Sequence, residues 1–366
     1  MDGLGDDHEA LTFATINVGT LPLCAYSGGV LLHDGRVMFC PRSSTKIGIF
    51  DPKTNEYSTV PEVFVEHNAY SGCVLLNDGR VVLVPCSART IGIFDPATNS
   101  FSESASVIAS TPANYAYRSG VLLRDGRVLF VPCNARNIGI FDPATNEYSE
   151  IAGGISGNGA SYSGGVLMND GRVVLVPHSA TRITVFNPAT NKHITISDEI
   201  EYYSYRGGVL LPDGRVVFVP FGALTIGIFN PATDAYSTIA AEPTRDSAYA
   251  DGVLLPDGRV VFVPYSANTI CIFNPATDAY STIAVPTCNN AYAGGVLLPD
   301  DRVVFVPYNA KSVGILTVSD EKARARALLR TEAVKEELIA AAWHPKRMAE
   351  WCLDADERRE LAEMGL

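Results

Sequence analysis

Tryptophan is nearly missing from this chain of 366 residues, with two Trp against 15 Phe and 16 Tyr, and none of its eight cysteines is spaced as CxxC. Those cysteines (24, 40, 73, 86, 133, 271, 288 and 352) mostly stand where other copies of an internal repeat carry Val, Gly, Tyr or Asn, so they read as free thiols. No uninterrupted apolar run reaches membrane-spanning length, and the acidic opening MDGLGDDHEA has no charged-then-apolar leader. The expectation is an intracellular, cytoplasmic protein without an anchor. Basic residues are outnumbered, 28 Lys and Arg against 40 Asp and Glu, and the net charge of -12 makes the whole-surface field repulsive to nucleic acid and anionic lipid. Neither is expected as a partner. No Ser-His-Asp set, nucleotide loop or HExxH motif is present. What remains is 47% hydrophobic and rich in turn formers, with 31 Gly and 22 Pro, which excludes disorder and collagen-like repetition.

The turn formers are periodic. Asp34-Gly35-Arg36 recurs at Asp78, Asp125, Asp170, Asp213 and Asp257 and ends as Asp300-Asp301-Arg302, at spacings of 44, 47, 45, 43, 44 and 43. A period of this size without helical patterning predicts an all-β, seven-bladed β-propeller. The sixth copy illustrates the four strands of a blade: Tyr249 to Leu255, Arg259 to Val263, Thr269 to Phe273 and Tyr280 to Ile283, joined by Pro, Asp, Gly and Asn turns. Val260-Val261-Phe262-Val263 is apolar at consecutive positions, as expected of a strand covered on both faces. Paired glycines such as Gly28-Gly29, Gly164-Gly165, Gly207-Gly208 and Gly294-Gly295 suit an innermost strand crowded around the axis. The seventh copy lacks a fourth strand, and Phe13-Ala14-Thr15-Ile16 matches Tyr280-Ser281-Thr282-Ile283, so the N-terminus is expected to close the ring against residues 313 to 316. The domain layout is then a disordered N-terminus over 1–12, the propeller over 13–318 and a small helical appendage over 319–366.

The run Val253-Leu254-Leu255-Pro256-Asp257-Gly258-Arg259-Val260-Val261, followed by Ile272-Phe273-Asn274-Pro275-Ala276-Thr277-Asp278-Ala279-Tyr280, resembles the kelch repeat of propellers related to the galactose oxidase central domain. The resemblance implies the same ring. It departs where the kelch diglycine after the second strand is Val263-Pro264, and where the kelch Trp is Tyr148 or Phe101. The copper ligands of galactose oxidase have no residue-by-residue match here. In the appendage, Glu321 to Ala342 has a helical pattern, with shorter helices around Met348 to Leu353 and Asp356 to Met364. Its Trp343-His344-Pro345 and Trp351-Cys352-Leu353-Asp354 resemble short tails of repeat proteins from large DNA viruses and protists, with His344 as a packing and capping residue.

Features common to every blade are structural, because a site in a ring is made by what differs. Antiparallel register about Ser87-Ala88 puts Arg80 opposite Asp95, and likewise Arg36 opposite Asp51 and Arg127 opposite Asp142. Asn187, Asn230 and Asn274 replace the acid in blades four to six. The differences lie in the loops between second and third strands, which begin at Arg42, Cys86, Cys133, His178, Phe221, Tyr265 and Tyr308 and hold six bases, Arg42, Lys46, Arg89, Arg136, Arg182 and Lys311, with no acid. The blade-to-blade connections emerge on the same face and add Arg118 and Arg206 beside Tyr117 and Tyr205. Convergent Arg and Tyr favour carboxylate or phosphate recognition, against the plain alternative of solvated polar loops. Cys86, Cys133 and His178 occupy equivalent positions in consecutive blades, but strands of adjacent blades stand about 10 Å apart, far for metal bonds of ~2.0 to 2.3 Å. No metal or cofactor is expected.

The sequence therefore points to a non-catalytic scaffold presenting basic loops, with Phe221, Tyr265 and Tyr308 for apolar contact, to a protein or acidic peptide partner. The alternative is an enzyme acting on carbohydrate or a small anion at the same face. In that alternative only His178, Cys86 and Cys133 would titrate near neutrality. A third possibility gives recognition to the tail.

Overall fold

A strand apolar on both faces needs a neighbour on each side, and in this chain the neighbours are its own repeats. The computed structural model describes residues 10–60, 66–104, 115–152, 161–196, 200–241, 247–286 and 288–319. They form seven four-stranded antiparallel sheets and, among the described residues, no helix. Blade six runs Tyr249–Leu254, Val260–Pro264, Thr269–Asn274 and Ala279–Ala284, within a residue or so of the predicted bounds. Its second strand is buried at all five positions, as in every blade.

The core lies between blades. Val217, Val219 and Ile226 of blade five pack with Tyr249, Phe262 and Phe273 of blade six, and each such side chain taken from water contributes roughly 1.5–3 kcal/mol. Close approach of the inner strands requires glycine. A Cβ on Gly120 would lie 2.6 Å from a Val74 methyl, and one on Gly295 only 2.4 Å from a Val253 methyl. Glycine on the third strand has a similar cause, since a Cβ on Gly48 would sit 2.9 Å from the ring of the buried Tyr26.

Ring closure follows the expected register. Ala10–Asn17 pairs antiparallel with Ser312–Ser319, Phe13 opposite Leu316 and Ile16 opposite Val313. The strand begins at Ala10, inside the segment expected to be disordered. Phe13 packs on Phe305 at 5.8 Å and on Tyr292 at 6.4 Å. The tail expected to be helical, with Trp343, His344, Trp351 and Cys352, lies outside the described residues, and the other seven cysteines are free.

The lower face carries the repeated turns. The turn glycine adopts φ near +88°, for example Gly35 at +89° and Gly126 at +87°, and in blade seven Asp301 takes this left-handed conformation at +66°. The Arg–Asp pairs predicted across the second and third strands do not form, although the register behind them does, with Val82 opposite Ile93. Arg80 turns instead to Asp78, two residues back, whose carboxylate already accepts the Arg80 backbone N–H at 3.0 Å and so stands ready for the guanidinium at 2.7 Å. Asp95 is occupied elsewhere, accepting the Ala97 N–H at 2.9 Å to start the next turn. Several of these arginines also donate to a Pro carbonyl of the following blade, as Arg172 does to Pro231 at 2.8 Å and Arg302 to Pro52 at 2.9 Å.

Candidate functional site

Chemistry concentrates on the opposite, upper face, at the axis. The seven residues that follow the repeated Pro are fixed by backbone hydrogen bonds to the start of the inner strands. Cys133 N–H donates to Ala116 C=O at 2.9 Å, and Cys133 C=O accepts from Ser161 N–H of the next blade at 2.9 Å. The pattern repeats through His178, Phe221, Tyr265 and Tyr308 and returns to blade one, where Ala25 N–H donates to Tyr308 C=O at 2.8 Å. This hoop fixes one side chain per blade around the mouth of the ring, on rigid strand ends rather than free loops.

Those side chains touch. His178 meets Phe221 at 5.2 Å, Phe221 meets Tyr265 at 5.7 Å, Tyr265 meets Tyr308 at 5.4 Å, and the Arg42 guanidinium lies over Tyr308 at 5.4 Å and Tyr115 at 5.8 Å. The separation of about 10 Å expected between equivalent points overstates the distance, because blades converge toward the axis and large side chains bridge the remainder. Among the described residues, no three His, Cys, Asp or Glu side chains are grouped to hold a metal. Phe221, Tyr265 and Tyr308, expected as contact residues for a partner, are buried at 6 to 9% exposure and pack on Ala250 and Ala293.

Below this rim the inner strands bulge just after their first Tyr, between Tyr117 and Ser119 in blade three and between Tyr205 and Gly208 in blade five. A bulge takes the intervening residue out of the ladder and re-aims it. In five blades that residue is Ser or Ala, and in two it is Arg118 and Arg206. Both line an axial cavity of 170 Å³ whose walls are the inner-strand serines, glycine backbone and Asp251. Arg206 is only 7% exposed, its guanidinium lies over Tyr265 at 4.5 Å and Phe221 at 5.4 Å, and it forms no ion pair among the described residues. Burial and the nearby charges of Arg118 and Arg42 push its pKa down to about 10, so it stays cationic at neutral pH.

Asp251 is an acid that attention to the loops alone misses. It replaces the first glycine of the inner-strand pair, as Tyr249-Ala250-Asp251-Gly252 against Tyr292-Ala293-Gly294-Gly295. The signal is a broken repeat in the most regular strand, the same logic that singles out the loops. Its carboxylate accepts Gly252 N–H at 2.9 Å and Gly295 N–H at 3.3 Å, and its space exists because a Cβ on Gly207 would come within 2.9 Å of it. The carboxylate faces the cavity yet is walled by the ring. That burial outweighs the two N–H donors and Arg206 and raises its pKa to about 6.

The groups expected to titrate near neutrality do not. Burial, Arg118 and Arg206 push His178 down to about 3, burial pushes Cys86 up to about 11, and burial raises Cys133 as well. Asp251 takes their place. The remaining basic residues are set apart from the cavity, with Arg89, Arg136, Arg182 and Lys311 exposed toward the third strands. Lys46 lines a separate 400 Å³ hollow with Leu21, Pro22, Tyr57 and His67.

No protein-family model matches the chain, and no curated protein matches it in sequence. Solved structures do. A streptogramin B lyase superposes with a TM-score of 0.72 at 18% identity, over 84% of this chain and 98% of that one. Virginiamycin B lyase from Staphylococcus aureus gives 0.70 at 14% identity, over 85% of this chain and all of the other. A fungal alcohol oxidase of the AA5 family, in complex with copper, gives 0.65 at 13% identity, over 84% of this chain and 76% of that one. These propellers are enzymes, which overturns the expectation of a non-catalytic scaffold. At such identities the likeness itself establishes one thing about this chain, that it folds as a seven-bladed β-propeller.

Proposed function

We propose that this propeller is an enzyme acting on a small anionic molecule in the axial cavity, with Asp251 as the proton-transferring base and Arg118 and Arg206 as the anion clamp. The observation that carries the proposal is the pairing, in one cavity, of a buried guanidinium without an ion pair among the described residues and a half-buried carboxylate whose pKa desolvation raises to about 6. A base near neutrality transfers protons efficiently, and fixed guanidinium charge stabilises oxygen anions that develop when a proton leaves carbon beside a carboxylate or carbonyl. The small cavity, below the roughly 300–1,000 Å³ typical of drug-sized ligands, suits a compact substrate or the anionic end of a longer one. Glycoside hydrolysis is the weaker form of the enzymatic reading, since it needs two carboxylates and Asp251 stands alone among the described residues lining the cavity. Kinship to kelch propellers belongs to the same proposal, supported by the Asp257-Gly258-Arg259 and Asn274-Pro275-Ala276-Thr277-Asp278 turns and by the fold shared with the AA5 oxidase.

Solvent exchange tests the reaction class and needs no identified product. The full chain, incubated in deuterated water with a panel of small carboxylic acids, is expected to remove the α-proton signal of at least one of them, and Asp251→Asn is expected to stop it. Exchange that survives in Asp251→Asn, or no exchange with any member of the panel, would remove Asp251 as the base.

A further inference from the structure

Resting on that reading of the cavity, we infer that the site is built for a dicarboxylate, whose two anionic ends are met by two separate levels of arginine. The lower level is Arg118 and Arg206, from blades three and five, which converge on the cavity from either side of Ser163 in blade four. The upper level is Arg42 in the rim. Pro41 pairs with Tyr26, so Arg42 stands one residue above that tyrosine, while the arginines of the lower level follow their own tyrosines by one residue. Two residues of strand separate the backbones of the two levels by about 7 Å.

Charge balance points the same way. Arg118 and Arg206 line the cavity and Arg42 lies over Tyr308 in the rim, with Asp251 as the carboxylate among the described residues lining the cavity, and His178 and the two thiols of the rim are neutral. Above pH 6 the site therefore holds two surplus positive charges. The buried Arg206 and the half-buried Arg42 need something to neutralise them, and here the described protein supplies aromatic faces, over which both lie, but the cavity lining holds no second carboxylate. A ligand bearing two negative charges completes the balance. Guanidinium forks match planar carboxylates with two parallel hydrogen bonds, and charges placed on two levels favour two separated carboxylates over the single centre of a phosphate.

Calorimetric titration of the full chain at pH 7.5 and constant ionic strength, with acetate, succinate, glutarate and inorganic phosphate as probes, tests this. Succinate or glutarate is expected to bind at least about ten-fold more tightly than acetate or phosphate. In Arg42→Met, checked for an unchanged melting temperature, the ratio of dicarboxylate to acetate affinity is expected to collapse toward one, whereas Arg206→Met weakens both. Acetate binding as well as succinate, or phosphate binding best, would overturn the dicarboxylate inference and leave the anion site standing. Absence of binding by all four probes would instead overturn the reading of the cavity as an anion site.

Discussion

The two faces of the ring are made from the same seven repeats and behave oppositely. On the lower face every blade presents the same turn, and each arginine satisfies its own aspartate, with several latching the next blade through a Pro carbonyl. On the upper face the backbone repeats equally well, since the hoop of hydrogen bonds runs through every blade, but the side chains that it holds differ at each position. Repetition marks what keeps the ring together. Departure marks where charge is left uncompensated, at Arg42, Arg118, Arg206 and Asp251.

The sharpest way to break this comparison is to open the ring. Deleting residues 1–17 removes the partner of Ser312–Ser319 and uncovers Phe305, and the melting temperature is expected to fall by at least about 5 °C. A melting curve that does not move would show that the closing strand contributes no stability. Next comes a repeated but sterically filled position. Gly120→Ala drives a methyl against Val74 and is expected to cost about 1–3 kcal/mol in denaturant unfolding, whereas Gly126→Asn, in a lower turn with open space, should cost less than about 1 kcal/mol because Asp301 already adopts that conformation.

Asp251 should respond with the opposite sign. Its pKa is about 6 in the folded ring and about 3.9 when unfolded, so the folded state holds the proton more firmly. Stability from this group is complete below pH 4 and is lost as pH rises through 6. Asp251→Asn is therefore expected to stabilise the chain at pH 7.5 by about 1–2 kcal/mol, after discounting for water in the cavity, and to change nothing at pH 4. Equal denaturant midpoints at pH 7.5 would mean that the carboxylate is not desolvated. The smallest effect belongs to the lower face, where Arg80→Ala removes a pair that is 36% and 51% exposed and should cost below about 1 kcal/mol. A larger loss in unfolding measurements would show that the latch to Pro143, at 3.5 Å, matters more than its length suggests.

The ring is legible because it is written seven times. The spacing of Asp-Gly-Arg, the doubly covered run at Val260 and the match of Phe13 to Tyr280 are local patterns with one physical solution. The arginine pairing comes out wrong from register alone, because register places Cα atoms, while a long side chain goes to the nearest prepared acceptor, here Asp78 rather than Asp95. The site is half visible. Arg42, His178, Phe221, Tyr265 and Tyr308 stand out as unlike residues at like positions, and Arg118 and Arg206 as charges beside a repeated Tyr. Their gathering at the axis depends on convergence of blades and on a bulge, neither of which has a composition. Asp251 escapes notice because the inner strand looks like packing material, and its elevated pKa comes from desolvation by the neighbouring blades, against which the Gly295 N–H works.

The pairing of Ala10 with Ser319 also sets a schedule. A ribosome adding about 5–20 residues per second needs roughly 15–60 s to deliver the later strand after the earlier one. Through that interval the flank of blade one, with Tyr26, Phe39 and Phe50, waits for Val296, Val304 and Val306 of blade seven. The nascent chain is an open arc with an apolar face at its leading end, and among the described residues the most sequence-distant contact is also the last to become available. Until then that face is open to misassembly, whatever the stability of the finished ring.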